Sequence, residues 1–412
     1  MAELSKFAEE IMVEILSRLP PKSLMRFKCV RKSWQCLINN SDFAARHLSI
    51  TKNNKHPSSI TIAFTRRVLE DINSSKKRIL LSLFDVSHCN DGDDELDPIV
   101  EDIHSPVSAG LVDWQRFRVN ISTHCDGILC LTDGGKYIVL CNPAIKEFKL
   151  LPVPSSNSIS YGEGFGYDLK SKDYKVVRIL SNGREEYMDG MHKRVVIRPP
   201  TVEVYSLLTN SWKEIKIDNL ITKTTIYWPQ SYVSVYHKGI LYWCGHEELR
   251  RKNFIVSDYS EDEEDDEGEM KDSIISFDIG DEAFYVISFP GDCRLYGCGL
   301  GLWKESIALC TSGPWSPDPS TKETLEIWLM DDLGGGEGSW TKYLTFEPVV
   351  AHIIGQLGLF WDNKQLVAIF KTNCAVIFYE VCTNKFKCLP LNTEILDYSQ
   401  AVECTRSIVS IK

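Results

Sequence analysis

One short pattern recurs five times in the last two thirds of the chain and constrains the fold more than any other feature. Each copy runs from an apolar, strand-like segment through a polar turn and an aromatic residue into a second strand-like segment. Successive copies start 64, 72, 51 and 51 residues apart, at Ile138, Val202, Ile274, Leu325 and Val376. Because one hairpin about every 50 residues is typical of propeller blades, the pattern predicts a β-propeller.

The aromatic residue keeps a fixed place in the pattern. Four copies carry it seven positions after their fourth residue, at Phe148, Trp212, Phe284 and Phe386. In the remaining copy Trp340 follows Trp328 by twelve positions, which indicates a hairpin loop lengthened by Gly334–Gly338. Between these hairpins lie further strand pairs, each of which begins at a glycine: Gly127, Gly239, Gly301 and Gly358. Two hairpins in each repeat should form a four-stranded sheet. Residues 59–64 and 78–84 could add strands or close the ring with the C-terminal chain.

Residues 1–47 have a helical period instead. One apolar stripe is formed by Ile11, Met12, Ile15, Leu16 and Leu19. Pro20 and Pro21 predict the end of this helix and the start of a second, and a third helix should follow Val30. We expect Ser41 to cap a last turn that contains Phe43. So small a unit leaves much apolar area exposed, so part of it should contact a partner or else pack on the downstream domain.

The run from Phe7 to Trp34 resembles the plant F-box motif closely. One departure is Phe7-Ala8 in place of the usual Leu-Pro, which should cost roughly a few tenths of a kcal/mol because a first-turn proline is lost. The resemblance implies docking onto a Skp-family adaptor, which connects to a cullin and its RING subunit in a ubiquitin ligase. It places seven residues in that interface or directly supporting it: Ile11, Leu16, Leu19, Pro20, Leu24, Val30 and Trp34.

The β region is similar to the F-box-associated, kelch-like domain of plant proteins. The motifs that carry this likeness include Cys125–Leu131, Asn142-Pro143-Ala144, Gly164–Asp168 and Asn210–Lys213. With the N-terminal Pro21–Cys29, the chain resembles the S-locus F-box group of flowering plants. Paralogues outside the S-locus share these motifs. That resemblance implies recognition of pistil S-RNases by a pollen protein and their ubiquitination in self-incompatibility.

The two resemblances together predict an α+β multidomain protein. We expect a helical F-box at residues 1–47 and a connecting segment with the first strands at 48–119. A large, mostly β, kelch-like propeller should fill residues 120–412, recognise the substrate and carry an acidic loop at 260–271.

The charge balance restricts the partners. The chain has 46 Lys and Arg against 57 Asp and Glu, a formal net charge of −11, which disfavours a general nucleic-acid binder because phosphate attraction needs a basic face. Two acidic loops could instead steer a basic protein target such as an S-RNase, or could be solvated without a partner. Their candidate target-binding residues are Asp91, Asp93, Asp94, Glu95, Glu261, Asp262, Glu263, Glu264, Asp265, Asp266, Glu267 and Glu269. The Gly334–Gly338 loop is a further candidate.

The sequence contains no constellation typical of catalysis. Gly162–Gly166 has glycine spacing like a phosphate loop, but a strand-like segment follows it where an anion site needs a helix N-terminus. His124 and Cys125 are adjacent on a strand and so point to opposite faces. His246-Glu247-Glu248 lacks a second histidine for a metal. An aromatic cluster could form a ligand-facing patch or ordinary core: Tyr227, Trp228, Tyr232, Tyr236, Tyr242 and Trp243. We therefore expect no catalytic residue, cofactor or metal.

The sequence also allows a prediction of the cellular location. It has no run of 18 apolar residues and no signal-peptide pattern at its start, so we expect no membrane contact and a cytoplasmic location, in the pollen tube if the S-locus resemblance holds. Fourteen cysteines are scattered without a Cys-x-x-Cys pair, which favours buried, reduced thiols over a disulfide framework or zinc site.

The sequence therefore predicts a non-enzymatic substrate receptor of a Skp-cullin-F-box ubiquitin ligase. Two alternatives remain open: an F-box adaptor for a different plant target outside the S-locus, and a propeller scaffold without ligase docking.

Overall fold

The structure is a computed structural model, and the residues it describes fall into helical and β regions. They are residues 2–53, 61–69, 77–85, 100–103, 119–133, 137–154, 160–180, 184–189, 192–197, 201–215, 225–229, 234–249, 255–256, 270–291, 293, 299–303, 306–312, 324–331, 339–346, 361–362, 365–370, 375–380, 385–390 and 401–412. Contacts divide the chain into two compact units. Unit 1 contains residues 1–131, 137–151 and 392–412, and unit 2 contains residues 132–136 and 152–391.

Four helices open the chain: α1 Ala2–Ser17, α2 Pro21–Phe27, α3 Lys32–Ile38 and α4 Ser41–Asn53. Pro20 has an extended backbone that ends the α1 segment, and Pro21 occupies the first turn of α2, as the sequence predicts. The expectation for the last helix is wrong in two respects. It has 13 residues and is not a single turn, and Asn40, not Ser41, caps it by accepting hydrogen bonds from the amides of Asp42 (2.7 Å) and Phe43 (3.2 Å).

Two four-stranded antiparallel sheets belong to unit 1. Sheet A has the order β28-β1-β2-β3, and sheet B has the order β4-β5-β6-β7. Their strands are β1 Thr61–Leu69, β2 Lys77–Asp85, β3 Val100–Ile103, β4 Asn120–Cys125, β5 Ile128–Thr132, β6 Ile138–Asn142, β7 Glu147–Leu150 and β28 Ala401–Glu403. Ala63 of β1 faces Val402 of β28, which confirms the predicted pairing of the first strand with the C-terminal chain.

Four sheets with four or five strands belong to unit 2. Sheet C (β13-β12-β9-β8), sheet E (β14-β16-β18-β19, with β15 on β16), sheet F (β20 to β23) and sheet G (β24 to β27) are antiparallel. Their strands are β8 Ser160–Asp168, β9 Asp173–Leu180, β12 Val202–Ser206, β13 Ser211–Ile215, β14 Thr225–Pro229, β15 Val235–His237, β16 Ile240–Leu249, β18 Met270–Asp278, β19 Ala283–Ser288, β20 Gly299–Trp303, β21 Ser306–Ser312, β22 Leu325–Met330, β23 Trp340–Phe346, β24 Trp361–Asp362, β25 Gln365–Phe370, β26 Ala375–Glu380 and β27 Lys385–Pro390.

A smaller sheet D is assembled from two long connections of unit 2. Its strands are β10 Arg184–Asp189, β11 His192–Ile197 and β17 Ile255–Val256, in the order β10-β11-β17. The first two lie between β9 and β12 of sheet C, and β17 lies between β16 and β18 of sheet E. Segments inserted in neighbouring sheets therefore pair with each other.

The seven-residue aromatic spacing is a cross-strand pairing. Tyr205 faces Trp212 with ring centroids 5.3 Å apart, and Phe277 faces Phe284 at 4.6 Å. The fourth copy is different, because Trp340 faces Met330 and Trp328 faces Lys342, with a register shift between Ile327 and Trp328. The lengthened loop predicted at Gly334–Gly338 lies outside the described residues. The Trp340 indole N–H donates to the carbonyl of Ser288 (2.9 Å), so this aromatic residue links sheet F to sheet E.

Candidate functional site

Three large apolar side chains on the helical region are exposed. Ile11 and Ile15, one turn apart on α1, are 44% and 56% accessible, and Val30, between α2 and α3, is 64% accessible. Leaving isoleucine and valine in water is unfavourable, and grouped exposed apolar side chains mark contact surfaces. These three residues are called the docking surface below.

A compact core supports this surface. Leu16, Leu24, Ile38 and Phe43 are buried together, and Leu19 and Trp34 pack against them. Of the seven residues predicted from the F-box motif, Ile11, Pro20 and Val30 are therefore exposed, whereas Leu16 and Leu24 are interior and Leu19 and Trp34 are partly buried. Ile15 was not among the seven, although its place four residues after Ile11 on the same stripe could have indicated it.

Trp34 connects three of the helices. Its indole N–H donates to the sulfur of Met12 on α1 (2.8 Å), and its ring lies 5.5 Å from that of Phe27 on α2. Because Met12 is next to Ile11, and Val30 is four residues before Trp34, this contact fixes the α2–α3 connection against α1. Trp34 thus joins the helix that carries Ile11 and Ile15 to the two helices that flank Val30.

Polar contacts hold α4 against α1 and against Leu19, which follows the C-terminal end of α1. Arg46 of α4 and Arg18 both pair with Glu14, and the hydrogen bond from Arg18 is the main cause that lowers the pKa of Glu14. His47 is buried and its Nε2–H donates to the carbonyl of Leu19 (3.0 Å). Burial lowers the pKa of His47, so the ring is neutral near pH 7.

The predicted target-binding residues lie outside the described residues. This holds for Asp91 to Glu95, for the acidic run Glu261 to Glu269 and for Gly334–Gly338. In the sequence, the acidic run falls between β17 of sheet D, which ends at Val256, and β18 of sheet E, which begins at Met270.

The Gly162–Gly166 motif has a packing role. It lies on β8, and a Cβ on Gly164 would lie 2.7 Å from Leu241, while one on Gly166 would overlap the Tyr236 ring. The two glycines therefore let β8 approach sheet E closely. The indole of Trp243 then reaches the backbone carbonyl of Glu163 (3.1 Å).

Glu163, which lies between Gly162 and Gly164, belongs to a buried charged cluster that the sequence did not reveal. Arg178 Nη1 donates to Glu203 Oε2 at 2.9 Å, and Arg178 Nε lies 3.8 Å from Glu163 Oε1. Burial raises the pKa of Glu163 to about 7, against the opposing effects of Thr132, Arg178 and Ser160. The Trp212 ring lies 5.9 Å from the guanidinium. With every member in the interior, the cluster offers no surface to a substrate.

The described side chains of the predicted aromatic cluster are buried or partly buried. Tyr242 and Trp243 are fully buried and Tyr236 packs against the same core, whereas the side chains of Tyr227, Trp228 and Tyr232 lie outside the described residues. Six of the nine described cysteines are buried, but Cys29 and Cys36 are exposed, so the prediction of buried thiols fails for these two. Among the described residues no three His, Cys, Asp or Glu side chains group as metal ligands. Within those same residues no helix combines the length and apolar character needed to cross a bilayer.

Comparison with known families matches both regions of the chain. The F-box domain family matches residues 4–46, and the F-box associated beta propeller domain family matches residues 71–411. The fold class predicted from the sequence, a small helical F-box followed by a large, mostly β propeller domain, is thereby confirmed.

Two relatives from Arabidopsis thaliana align with nearly the whole chain. The F-box/kelch-repeat protein At3g23880 is 28% identical over 415 residues, which cover 97% of this chain and 94% of that protein. The F-box protein CPR1 is 23% identical over 419 residues, which cover 98% and 89%. Among solved structures, that of YjhT aligns with a TM-score of 0.34 and 13% identity over 65% of this chain and 81% of that one.

Proposed function

Because the chain belongs to the family of plant F-box proteins that carry an F-box associated beta propeller domain, we propose that it is the substrate-recognition subunit of a Skp-cullin-F-box ubiquitin ligase. One observation carries the proposal. The F-box helices expose Ile11, Ile15 and Val30 although other apolar side chains of the same helices are buried in a core. An apolar surface of this kind suits the apolar face of a Skp-family adaptor.

In this proposal the chain contributes proximity and no chemistry. The F-box binds the adaptor, and through it the cullin and RING subunit, while the propeller domain holds the target. Fixing a target lysine near a charged ubiquitin-conjugating enzyme raises its effective concentration, so the chain needs no catalytic residue or cofactor of its own.

Binding to a purified Skp-type adaptor tests the docking step. Ile15→Asp places a carboxylate in the interface and should weaken binding by at least about tenfold, because an unpaired buried charge is costly. Leu208→Asp is the matched control, since Leu208 is 77% accessible on the turn between β12 and β13 and should leave affinity unchanged. Absence of binding by the wild type would favour the scaffold alternative. Equal binding by Ile15→Asp would exclude Ile15 from the adaptor interface.

We further propose that the target is a basic protein, and specifically an S-RNase met in the pollen tube cytosol. The resemblance to the S-locus F-box group supports this, as does the acidity of the chain. Eight of its carboxylates fall between residues 261 and 269, and without them the net charge of −11 becomes −11 + 8 = −3. A complementary field of this kind speeds association and weakens with salt.

Affinity purification from pollen-tube extract, with pistil proteins added and the proteasome blocked, separates the targets. Recovery of S-RNase together with Skp-type and cullin subunits supports the narrower proposal. In a second arm, the eight carboxylates of residues 261–269 are replaced by amides, which should slow S-RNase association and flatten its salt dependence. Ligase subunits recovered with another target would support an F-box adaptor outside the S-locus.

A further inference from the structure

The last nine residues of the chain, 404–412, are called the C-terminal strap, and one of them, Ile408, is buried in the F-box core. We propose that this strap is a structural part of the F-box and that Ile408 is a positioning residue for the docking surface. The inference rests on the proposed function, because it concerns what makes the F-box competent to bind its adaptor.

Ile408 is the centre of this contact. It is 4% accessible and belongs to the same buried cluster as Leu16, Leu24, Ile38 and Phe43. Leu16 follows the exposed Ile15 directly on α1. One side chain of the F-box interior is therefore supplied from the opposite end of the sequence, and its removal would leave a gap beneath α1 and α2.

Sheet B holds the strap in place immediately before and after Ile408. The side-chain amide of Asn142 donates to the carbonyls of Ser407 (3.3 Å) and Val409 (2.8 Å), and the Ser407 hydroxyl donates to the carbonyl of Asp126. Because Asn142 binds the residue on each side of Ile408, it fixes the direction in which that side chain points.

Gly127 makes room for the strap. It has φ +83°, and a Cβ there would overlap the carbonyl oxygen of Thr405 and come within 2.7 Å of the Ser407 hydroxyl. Gly127 and Asn142 belong to the motifs Cys125–Leu131 and Asn142-Pro143-Ala144. At these two positions, the motifs therefore contact the C-terminal strap and hold it in place.

The end of the strap is anchored as well. Glu147 of β7 accepts hydrogen bonds from the Ser410 hydroxyl (2.8 Å) and the Ile411 amide (3.1 Å). Ile145, in the turn before β7, packs against the F-box core. The strap is thus bonded to sheet B on both sides of the residue that enters the F-box.

Ion pairs add to this junction without replacing the apolar contact. Lys22 of α2 lies 2.8 Å from Glu101 of β3, and Lys52 of α4 lies 2.6 Å from Asp126. Both lysines are about half exposed, and ion pairs of exposed lysines contribute little in water. We therefore expect the burial of Ile408 to decide whether the F-box helices keep their arrangement.

The test compares the full-length wild type with two altered straps, a chain that ends at Glu403 and Ile408→Asp. Each is titrated with a purified Skp-type adaptor, and hydrogen exchange of α1 to α4 is followed in the free proteins. Both altered chains should lose affinity by at least about tenfold and lose amide protection in the F-box, since a small helical unit with a disrupted core is marginal.

Two further variants separate positioning from general instability. Ile408→Val keeps most of the buried volume and should restore affinity to within about threefold of wild type. Ile287→Ala truncates an equally buried isoleucine of unit 2 and should leave adaptor affinity and F-box protection unchanged. Wild-type affinity in the chain that ends at Glu403 would overturn the inference. If the wild type binds no adaptor, the proposed function fails, and the exchange data still decide whether the strap stabilises the F-box.

Discussion

Arg178 and Glu203 form a buried ion pair between neighbouring strands of sheet C, with Arg178 Nη1 2.9 Å from Glu203 Oε2 and both side chains almost fully inaccessible. Glu163, on β8, lies on the other side of the same guanidinium, with 3.8 Å between Arg178 Nε and Glu163 Oε1. Two carboxylates thus share one cation in the interior. Because an interior carboxylate without its own cation favours the neutral form, Glu163 holds its proton more tightly than an exposed glutamate.

Glu163 should make stability depend on pH near neutrality. Its pKa is about 7 in the folded chain against an ordinary value of 4.5, so between these values the unfolded chain releases a proton that the folded chain keeps. Stability should therefore fall as pH rises from 4.5 to 7, by roughly 3 kcal/mol at about 1.4 kcal/mol per pKa unit. Urea unfolding at pH 5 and pH 7.5 measures the change, and Glu163→Gln should lose this part of it. Equal pH dependence in both proteins would contradict the prediction.

Removing the shared cation should be more damaging than removing the whole cluster. Arg178→Met removes the cation that pairs with Glu203 and lies beside Glu163, and it should cost about 3 to 5 kcal/mol in unfolding free energy. The triple variant Glu163→Gln, Arg178→Met, Glu203→Gln should recover much of that loss. Chemical denaturation of the three proteins, wild type, Arg178→Met and the triple variant, measures both effects. A triple variant less stable than Arg178→Met alone would show that the arginine acts through packing and not through charge.

The glycines of β8 give a prediction about packing. A Cβ on Gly166 would overlap the ring of Tyr236, which cannot easily move because its hydroxyl donates to the carbonyl of Tyr167 (2.8 Å). Gly166→Ala should therefore cost about 1 to 3 kcal/mol of stability through overpacking. Gly280→Ala is the control, since one of its two nearest atoms, at 3.2 Å, is Cδ of the flexible Lys170 side chain, and it should cost less. Thermal unfolding ranks the two variants, and the reverse order would refute this account.

The hairpins could be predicted from the sequence because their signals are local. A tight antiparallel turn fixes which residues face each other, so Tyr205 and Trp212 keep a constant spacing that repeats in other sheets. The spacing fails where the chain is irregular, as at the register shift beside Trp328. The α1 stripe was equally readable, because Ile11, Ile15 and Leu16 follow a helical period.

What the sequence could not indicate depends on contacts between distant residues. Ile408 enters the F-box core from the far end of the chain, and no local pattern distinguishes it from any other isoleucine near a terminus. Glu163 lies between glycines that resemble a phosphate loop, and only its burial beside Arg178 shows otherwise. The division of the seven F-box positions into exposed and interior residues likewise required the packing of four helices with the strap.

That division leads to the last prediction, which separates folding from docking at two F-box positions. Leu24 is fully buried, so Leu24→Ala should lower the unfolding free energy by about 2 to 5 kcal/mol and weaken adaptor binding as a consequence. Ile11 is exposed, so Ile11→Ala should change stability by no more than about 0.5 kcal/mol yet weaken adaptor binding directly, as truncation of an interface residue does. Calorimetric titration with a Skp-type adaptor, together with thermal unfolding of each free protein, measures the two quantities separately.

The same reasoning shows that aspartate at Leu16 or Leu24 would disrupt the F-box core and could not by itself locate the interface. If Ile11→Ala and Leu24→Ala lose equal stability, Ile11 is not exposed as described. If Ile11→Ala binds the adaptor as tightly as the wild type does, Ile11 is not part of the docking surface.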